Sequence, residues 1–181
     1  MNITEEKTNF IDVKSQINWD EYFMLQAMLA SFRSKDPSSK VGCVFVDENN
    51  HQVTMGYNGM VAGIDEDKIP WGRDTSVGLE FQKYGYVVHS EANAIMHANR
   101  PLEGCRVYVT LFPCNECAKL IASKKIKEVI FLSDKYKDTE NNRIARRIFK
   151  LANIPYRQLI PSDQVLEMVN GHFKSLKEKE S

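Results

Sequence analysis

The chain has 181 residues, the length of a single domain large enough to bury its own hydrophobic core. Its 24 Lys and Arg residues balance 24 Asp and Glu residues, so no overall field attracts nucleic acid or an anionic membrane. The N-terminus lacks a secretory signal pattern, and no stretch approaches the ~18 consecutive apolar residues of a membrane span. We therefore expect one cytoplasmic domain with neither nucleic acid nor a membrane as partner.

The chain begins with a polar, aperiodic stretch over residues 1–17, which predicts an N-terminal tail or an arm that orders against another subunit. The single domain is predicted to cover residues 18–178. Asn18 is a predicted helix cap, and the helix that follows should be amphipathic, because apolar residues recur at helical spacing. These residues are Tyr22, Leu25, Leu29 and Phe32.

Residues 40–47 and 51–58 are β-branched and apolar runs joined by a short polar turn, which predicts a β-hairpin. Residues 57–88 show little periodicity and contain several glycines. A loop of this length is either functional or contains an unrecognised element. We interpret it as a lid or a subunit contact.

The second half of the chain alternates helix and strand patterns. Helices are predicted at 90–98, 114–123, 141–152 and from 162 onward, and strands at 105–111, 126–132 and 156–160. This alternation predicts a three-layer α/β/α domain, with an antiparallel hairpin and then parallel strands in a five-stranded mixed sheet. The helices that begin near His89 and Cys114 should meet at the carboxyl ends of adjacent strands.

The chemistry is concentrated at the starts of two predicted helices. VVHSEANAIM places His89 and Glu91 two residues apart, and LFPCNECAKLI supplies Cys114 and Cys117. Cysteines three apart share one helix face, and the positive end of the helix dipole favours thiolates. One histidine and two cysteines are typical of catalytic zinc, which keeps its fourth position open. We predict that His89, Cys114 and Cys117 bind one Zn²⁺.

Glu91 is predicted to be the catalytic acid–base rather than a ligand, because it points to a different side of the helix from His89. Other interpretations exist for each part alone: a core or capping histidine, a helix-start acid and a redox C-x-x-C pair. Their joint occurrence, as His-x-Glu and then Pro-Cys-x-x-Cys, is the signature of zinc deaminases. Cys43 and Cys105 fall in predicted strands and are expected to be buried apolar residues.

The chain resembles the deoxycytidylate (dCMP) deaminases over most of its length. The resemblance is carried by RSKDPSSKVGCVFVD, MGYNGM, IPWGRDT, VVHSEANAIM, YVTLFPCNECAKLIASKKIKEVIFLSDKY and ARRIFKLANI, in this order. It implies the cytidine-deaminase-like fold and hydrolysis of dCMP to dUMP and ammonia, which supplies thymidylate synthesis. In that reaction Glu91 would carry a proton to N3 and then to the departing amine.

The resemblance also implies substrate contacts. Asn58 would contact the nucleotide beside the ring, and the 5′-phosphate would be held from the end of the first helix and from the SDKY loop. The residues implied for the phosphate are Arg33, Ser34, Lys35 and Tyr136.

Many similar enzymes are homohexamers that dCTP activates and that dTTP inhibits with Mg²⁺. By resemblance, Tyr57, Asn58 and Gly59 would belong to this control site. Relatives often have HAELNA where this chain has HSEANA. Because neither Ser90 nor Ala92 replaces a metal ligand or the acid–base, we expect activity to be kept and any difference to lie in packing near the pocket and in regulation.

Two alternatives remain open. One is another zinc deaminase, acting on guanine, tRNA adenosine or a riboflavin precursor, although the balanced charge argues against tRNA. The other is a nucleotide-sensing module without catalysis. The presence of Glu91 argues against a module of that kind.

Overall fold

The computed structural model describes residues 17–69, 71–72, 74 and 76–168. The predicted arm, apart from Ile17, and the C-terminal half of the predicted last helix lie outside these residues. Within them, residues 163–168 are helical, and no helix combines the length and apolar character needed to cross a membrane. The helices are α1 (Trp19–Ser31), α2 (Ser90–Met96), α3 (Asn115–Ser123) and α4 (Glu140–Leu151), and the strands are β1 (Gly42–Val46), β2 (Gln52–Tyr57), β3 (Gly59–Met60), β4 (Val87–Val88), β5 (Arg106–Leu111), β6 (Glu128–Ser133) and β7 (Tyr156–Gln158).

The main sheet has the strand order β2-β1-β5-β6-β7. β1 pairs antiparallel with β2 and with β5, whereas β6 runs parallel to β5 and β7 runs parallel to β6. A short turn can join only antiparallel neighbours, while α3 and α4 are crossover helices that return the chain in the same direction. The predicted five-stranded mixed sheet is confirmed.

The sheet is covered on both faces because successive strand residues point in opposite directions. On β1, Cys43 and Phe45 contact the cluster that α2, α3 and α4 build. Val44 and Val46 contact the cluster built by α1. The structure therefore has the predicted three layers, with Cys43 buried in one of them.

The buried face of α1 differs from the predicted apolar stripe. Met24 and Ala27 are fully buried, whereas Leu29 and Phe32 are 64% and 69% exposed. A Cβ atom at Gly42 of β1 would overlap the carbonyl oxygen of Ala27, so helix and strand approach very closely at this point. This close contact at Ala27 fixes the face of α1 that packs on the sheet, and the prediction from spacing alone is wrong.

The stretch 57–88 contains elements that the sequence did not reveal. β3 and β4 pair antiparallel as a separate two-stranded sheet, and 3₁₀ turns lie at Glu66–Lys68, Leu79–Phe81 and Lys83–Gly85. Two-residue strands are too short for a detectable alternation. Because α2 follows β4, the expectation that α2 and α3 follow adjacent strands of the main sheet is right for α3, after β5, and wrong for α2.

Candidate active site

The start of α2 is positioned by a close contact with β2. His89 is the N-cap residue of α2, and Glu91 lies in its first turn. A Cβ atom at Gly56 of β2 would overlap the carbonyl oxygen of Ser90 and lie 2.7 Å from the amide nitrogen of Ala94. Only glycine permits this approach, which brings the His89 end of the helix onto the sheet.

The start of α3 supplies the two cysteines. β5 ends at Leu111, and after Phe112 and Pro113 the chain enters α3 with Cys114 as its N-cap residue. Cys117 lies one turn further along and is 1% exposed. The two sulfur atoms therefore lie on one side of the helix start, where unpaired backbone N–H groups favour negative charge.

The structure brings the three predicted ligands together. Nδ1 of His89 lies 3.3 Å from Sγ of Cys114 and 3.5 Å from Sγ of Cys117, and one donor atom from each residue lies within 4.8 Å of the other two. Two thiolates and an imidazole at such distances can bind one tetrahedral zinc ion and leave a fourth position open. The donor set fits catalytic zinc.

The ionisation of the three donors is coupled. Hydrogen bonds from Cys117 and His89 lower the pKa of Cys114 to about 4, against the opposing effect of burial. The hydrogen bond to Cys114 raises the pKa of His89 to about 9, and the hydrogen bond with Cys114 and burial raise the pKa of Cys117. Without metal the site therefore contains a thiolate beside an imidazolium, and a metal cation would replace the protons on His89 and Cys117.

Glu91 is a buried carboxyl group beside the donors. It is 4% exposed, and burial raises its pKa, while the charge of His89 and a hydrogen bond from Ser90 act in the opposite direction. Oγ of Ser90 donates to Oε2 of Glu91 across 2.7 Å. Ser90, where relatives often have alanine, therefore contacts the predicted acid–base directly.

Glu91 and two of the three metal donors, His89 and Cys114, line a cavity of about 440 Å³. This volume is within the range of small-molecule sites, which is roughly 300–1,000 Å³. The residues that line it include Asp36, Ser39, Asn58, Lys83, Tyr84, His89, Glu91, Phe112, Cys114, Tyr136, Thr139 and Asn142. A cavity of this size beside a carboxyl group and a metal donor set is suited to hydrolysis of a small polar molecule.

The predicted phosphate contacts occupy different environments. Tyr136 lines the cavity, but Arg33, Ser34 and Lys35 do not. Arg33 is exposed, Ser34 is buried, and Nζ of Lys35 pairs with Oε2 of Glu66 at 2.9 Å. The structure thus brings one of the four implied contacts to the cavity wall.

Asn58 lines the cavity with its side chain almost fully engaged. Its Oδ1 accepts a hydrogen bond from the backbone N–H of Val41 at 2.8 Å, and its Nδ2 donates to the carbonyl oxygen of Ser39 and to Oδ2 of Asp36. An amide oxygen can accept two hydrogen bonds. Among the predicted control residues, Tyr57 and Gly59 flank Asn58 in the chain but do not line the cavity.

Sequence reasoning missed two charged residues of the cavity wall. Nζ of Lys83 contacts Oδ1 of Asp36 at 2.8 Å and Oδ2 at 2.6 Å, and both side chains are buried. Charged residues are mostly exposed, and Lys83 lies in a stretch without periodicity, so no local pattern predicts this pair. The one available signal is that Asp36 falls inside the RSKDP motif.

Arg146 was also missed, and it supports the part of the cavity wall that contains Phe112 and Tyr136. Its guanidinium lies 4.3 Å from the ring centroid of Phe112 and binds both carboxylate oxygens of Asp134 at 2.7 and 2.6 Å. Asp134 precedes the turn that carries Tyr136. Arg146 therefore ties this turn to the segment that leads into Cys114.

A sheet covered on both faces, with His-x-Glu and Pro-Cys-x-x-Cys at adjoining helix starts, is the arrangement of the zinc deaminases. A family model described as the cytidine and deoxycytidylate deaminase zinc-binding region matches residues 17–133. The chain belongs to the cytidine and deoxycytidylate deaminase family.

Similar proteins include the deoxycytidylate deaminase of Mus musculus, 52% identical over 146 residues that cover 80% of this chain and 82% of the mouse protein. The deoxycytidylate deaminase of Homo sapiens is 50% identical with the same coverage. Among solved structures, the dCMP deaminase of cyanophage S-TIM5 in complex with dCMP and dUMP aligns with a TM-score of 0.59. It is 22% identical and covers 77% of this chain and 95% of the phage protein, which is a likeness of fold.

Proposed function

We propose that this protein hydrolyses dCMP to dUMP and ammonia and so supplies dUMP for thymidylate synthesis. The observation that carries the proposal is that the buried Glu91 shares a cavity of about 440 Å³ with two donors of the His89, Cys114 and Cys117 group, namely His89 and Cys114. The substrate is supported by relatives named deoxycytidylate deaminase that are about half identical over four fifths of the chain.

The reaction breaks the bond between C4 of the cytosine and its amino nitrogen, forms a bond from C4 to a water oxygen, and releases ammonia. Zinc, when bound by His89, Cys114 and Cys117, supplies Lewis-acid activation of water near neutral pH. Glu91 takes one proton from water and delivers it to ring N3, and it then takes the second proton from the new C4 hydroxyl and gives it to the leaving amine. Its raised pKa suits a group that must both accept and donate a proton.

Asn58 and Tyr136 are the proposed nucleotide contacts from the cavity wall. Arg33, Ser34 and Lys35 remain proposed phosphate contacts, supported by their place directly before Asp36, which does line the cavity. Guanidinium, hydroxyl and ammonium groups all donate to phosphate oxygens.

We further propose a cytoplasmic homohexamer that dCTP activates and that dTTP with Mg²⁺ inhibits, through a site that includes Tyr57, Asn58 and Gly59. Assembly is supported by the exposed apolar side chains of α1, including Leu29 and Phe32, because apolar patches of this kind are typical of interfaces. Light scattering of the full chain, with and without each nucleotide, tests the assembly. A monomer under all conditions would contradict it.

Ammonia release from dCMP, CMP, deoxycytidine, dCTP and guanine tests the activity directly. We expect turnover of dCMP, with the ultraviolet change from cytosine to uracil. Turnover of guanine alone would instead indicate another zinc deaminase. Bound zinc and bound nucleotide with no turnover would indicate a sensing module.

Glu91→Gln tests the role of the carboxyl group. It should keep its zinc and lose about 100-fold to 10,000-fold in kcat, the usual size of general acid–base catalysis. Glu116→Gln is the matched control, because Glu116 also lies in the first turn of a helix but is exposed and pairs with Lys119. Equal activity of the two variants would contradict the role of Glu91.

A further inference from the structure

The Lys83–Asp36 ion pair joins two distant parts of the chain at the cavity wall. Asp36 lies between α1 and β1, and Lys83 starts a 3₁₀ turn just before β4. Both side chains are at most 4% exposed. Among the described residues that line the cavity, Lys83 is the only lysine or arginine.

Asp36 is the centre of a larger network. Besides Lys83, its carboxylate accepts hydrogen bonds from the backbone N–H groups of Ser38 and Ser39 and from Nδ2 of Asn58. Burial opposes ionisation of Asp36, but the hydrogen bond from Lys83 and these backbone hydrogen bonds outweigh it and lower its pKa. The carboxylate thus fixes both the turn before β1 and the amide of Asn58.

The burial of two charges at the cavity wall is not explained by a gain in stability. Removing two charges from water is unfavourable, and a buried ion pair often contributes no more stability than apolar residues of similar volume. Loss of one partner, however, leaves an uncompensated buried charge beside Asn58. Here the carboxylate of the pair also contacts Asn58 and the turn at 38–39.

We propose that Lys83 and Asp36 are a positioning pair for nucleotide binding. Lys83 holds the Asp36 carboxylate, and Asp36 holds Asn58 and the turn at 38–39 in the arrangement that receives the nucleoside. In this proposal Lys83 acts through Asp36, whose two carboxylate oxygens both contact its Nζ. The inference rests on the proposed function and assigns Lys83 and Asp36 a role in substrate binding.

Lys83→Met in the full, zinc-loaded chain tests the proposal. KM for dCMP should rise by about tenfold or more, since a defect of about 1.4 kcal/mol in binding corresponds to a factor of ten. Zinc content and kcat at saturation should stay within about twofold, because neither residue touches Glu91 or the metal donors in the hydrogen bonds described. A merely structural role would instead lower the active fraction and leave KM unchanged, which would overturn the proposal.

Asp36→Asn gives a second test if Lys83→Met does not fold. It should raise KM for dCMP by a similar factor. The double variant should have a KM no higher than that of the more impaired single variant, because the effects of partners that act as a unit are not additive. Additive losses would overturn the pairing. Lys68→Met is the matched control, since it removes an exposed ion pair with Asp65 in the same stretch of chain as Lys83, and KM should not change.

Deoxycytidine distinguishes positioning from direct contact. If Lys83 acts through Asn58, KM for dCMP and for deoxycytidine should rise by the same factor in Lys83→Met. A loss confined to the phosphorylated substrate would mean that Lys83 binds the phosphate and would overturn the positioning role. Turnover of neither compound by the unsubstituted protein would refute the proposed function itself, whereas an active protein with an unchanged KM in both single variants would refute only this inference.

Discussion

Ser90 donates its hydroxyl hydrogen to Oε2 of Glu91 across 2.7 Å, with both side chains buried. A hydrogen bond to a carboxylate stabilises its charged form, so Ser90 counteracts part of the rise in pKa that burial causes at Glu91. Position 90 therefore tunes the proposed acid–base of this chain, although it is neither a ligand nor a proton carrier.

Ser90→Ala should raise the pKa of Glu91 further. The acid limb of the pH dependence of kcat should shift upward by about one pH unit, because one such hydrogen bond contributes about 1.4 kcal/mol. Ser123→Ala is the control, since the exposed Ser123 makes its hydrogen bond to the helix backbone. Identical pH profiles for all three proteins would show that Ser90 does not affect Glu91.

Zinc loading of the metal-free protein should release protons in a defined number. At pH 7 His89, with a pKa of about 9, and Cys117, with a raised pKa, are protonated, whereas Cys114, with a pKa of about 4, is a thiolate. Binding should therefore release about two protons per zinc. Calorimetry in buffers of different ionisation enthalpy measures this number, and a value near three would mean that Cys114 is protonated before metal binds.

Gly56→Ala should damage the metal site without altering any ligand. The new Cβ would overlap the carbonyl oxygen of Ser90 and crowd Ala94, so α2 must move away from β2. We expect a loss of about 1–3 kcal/mol in the free energy of unfolding, together with weaker zinc binding. Urea unfolding and zinc competition with a chelator measure the two effects.

Gly72→Ala is the control for that substitution, because a Cβ at Gly72 meets no atom within 4 Å. Its unfolding and zinc affinity should match those of the unsubstituted protein. If Gly56→Ala behaved in the same way, the close contact between α2 and β2 would not position His89.

Asp20→Asn should lower stability at neutral pH and matter less in acid. Burial opposes ionisation of Asp20, but hydrogen bonds from Tyr108 at 2.7 Å and Arg157 at 2.6 Å outweigh it and lower its pKa. A lowered folded-state pKa contributes stability above the unfolded value of about 3.9, and this is lost as the pH falls through the folded pKa.

The difference in unfolding free energy between the two proteins should be on the order of 1 kcal/mol at pH 7, because Asp20 is partly exposed. It should shrink as the pH falls below about 4. Urea unfolding at several pH values measures this difference in free energy. Asp138→Asn is the control, because Asp138 is exposed. A difference independent of pH would show that the ionised form of Asp20 is not what stabilises the contacts of α1 with β5 and β7.

The sequence by itself predicted the order of the main-sheet strands and helices along the chain, because each is long enough to show its periodicity. It also predicted the metal donors, because His89, Cys114 and Cys117 lie in local motifs whose spacing on a helix start is fixed by helix geometry. The family was equally accessible, since its motifs extend over most of the chain.

Only the tertiary structure decided which face of α1 is buried, because that face is fixed by the contact of Ala27 with Gly42 of β1, a residue outside the helix. It also revealed the ion pair between Asp36 and Lys83, whose 47-residue separation leaves no local trace. Sequence patterns reflect interactions within one helix or strand. The walls of the cavity are formed by contacts between elements that are distant in the sequence and meet only on folding.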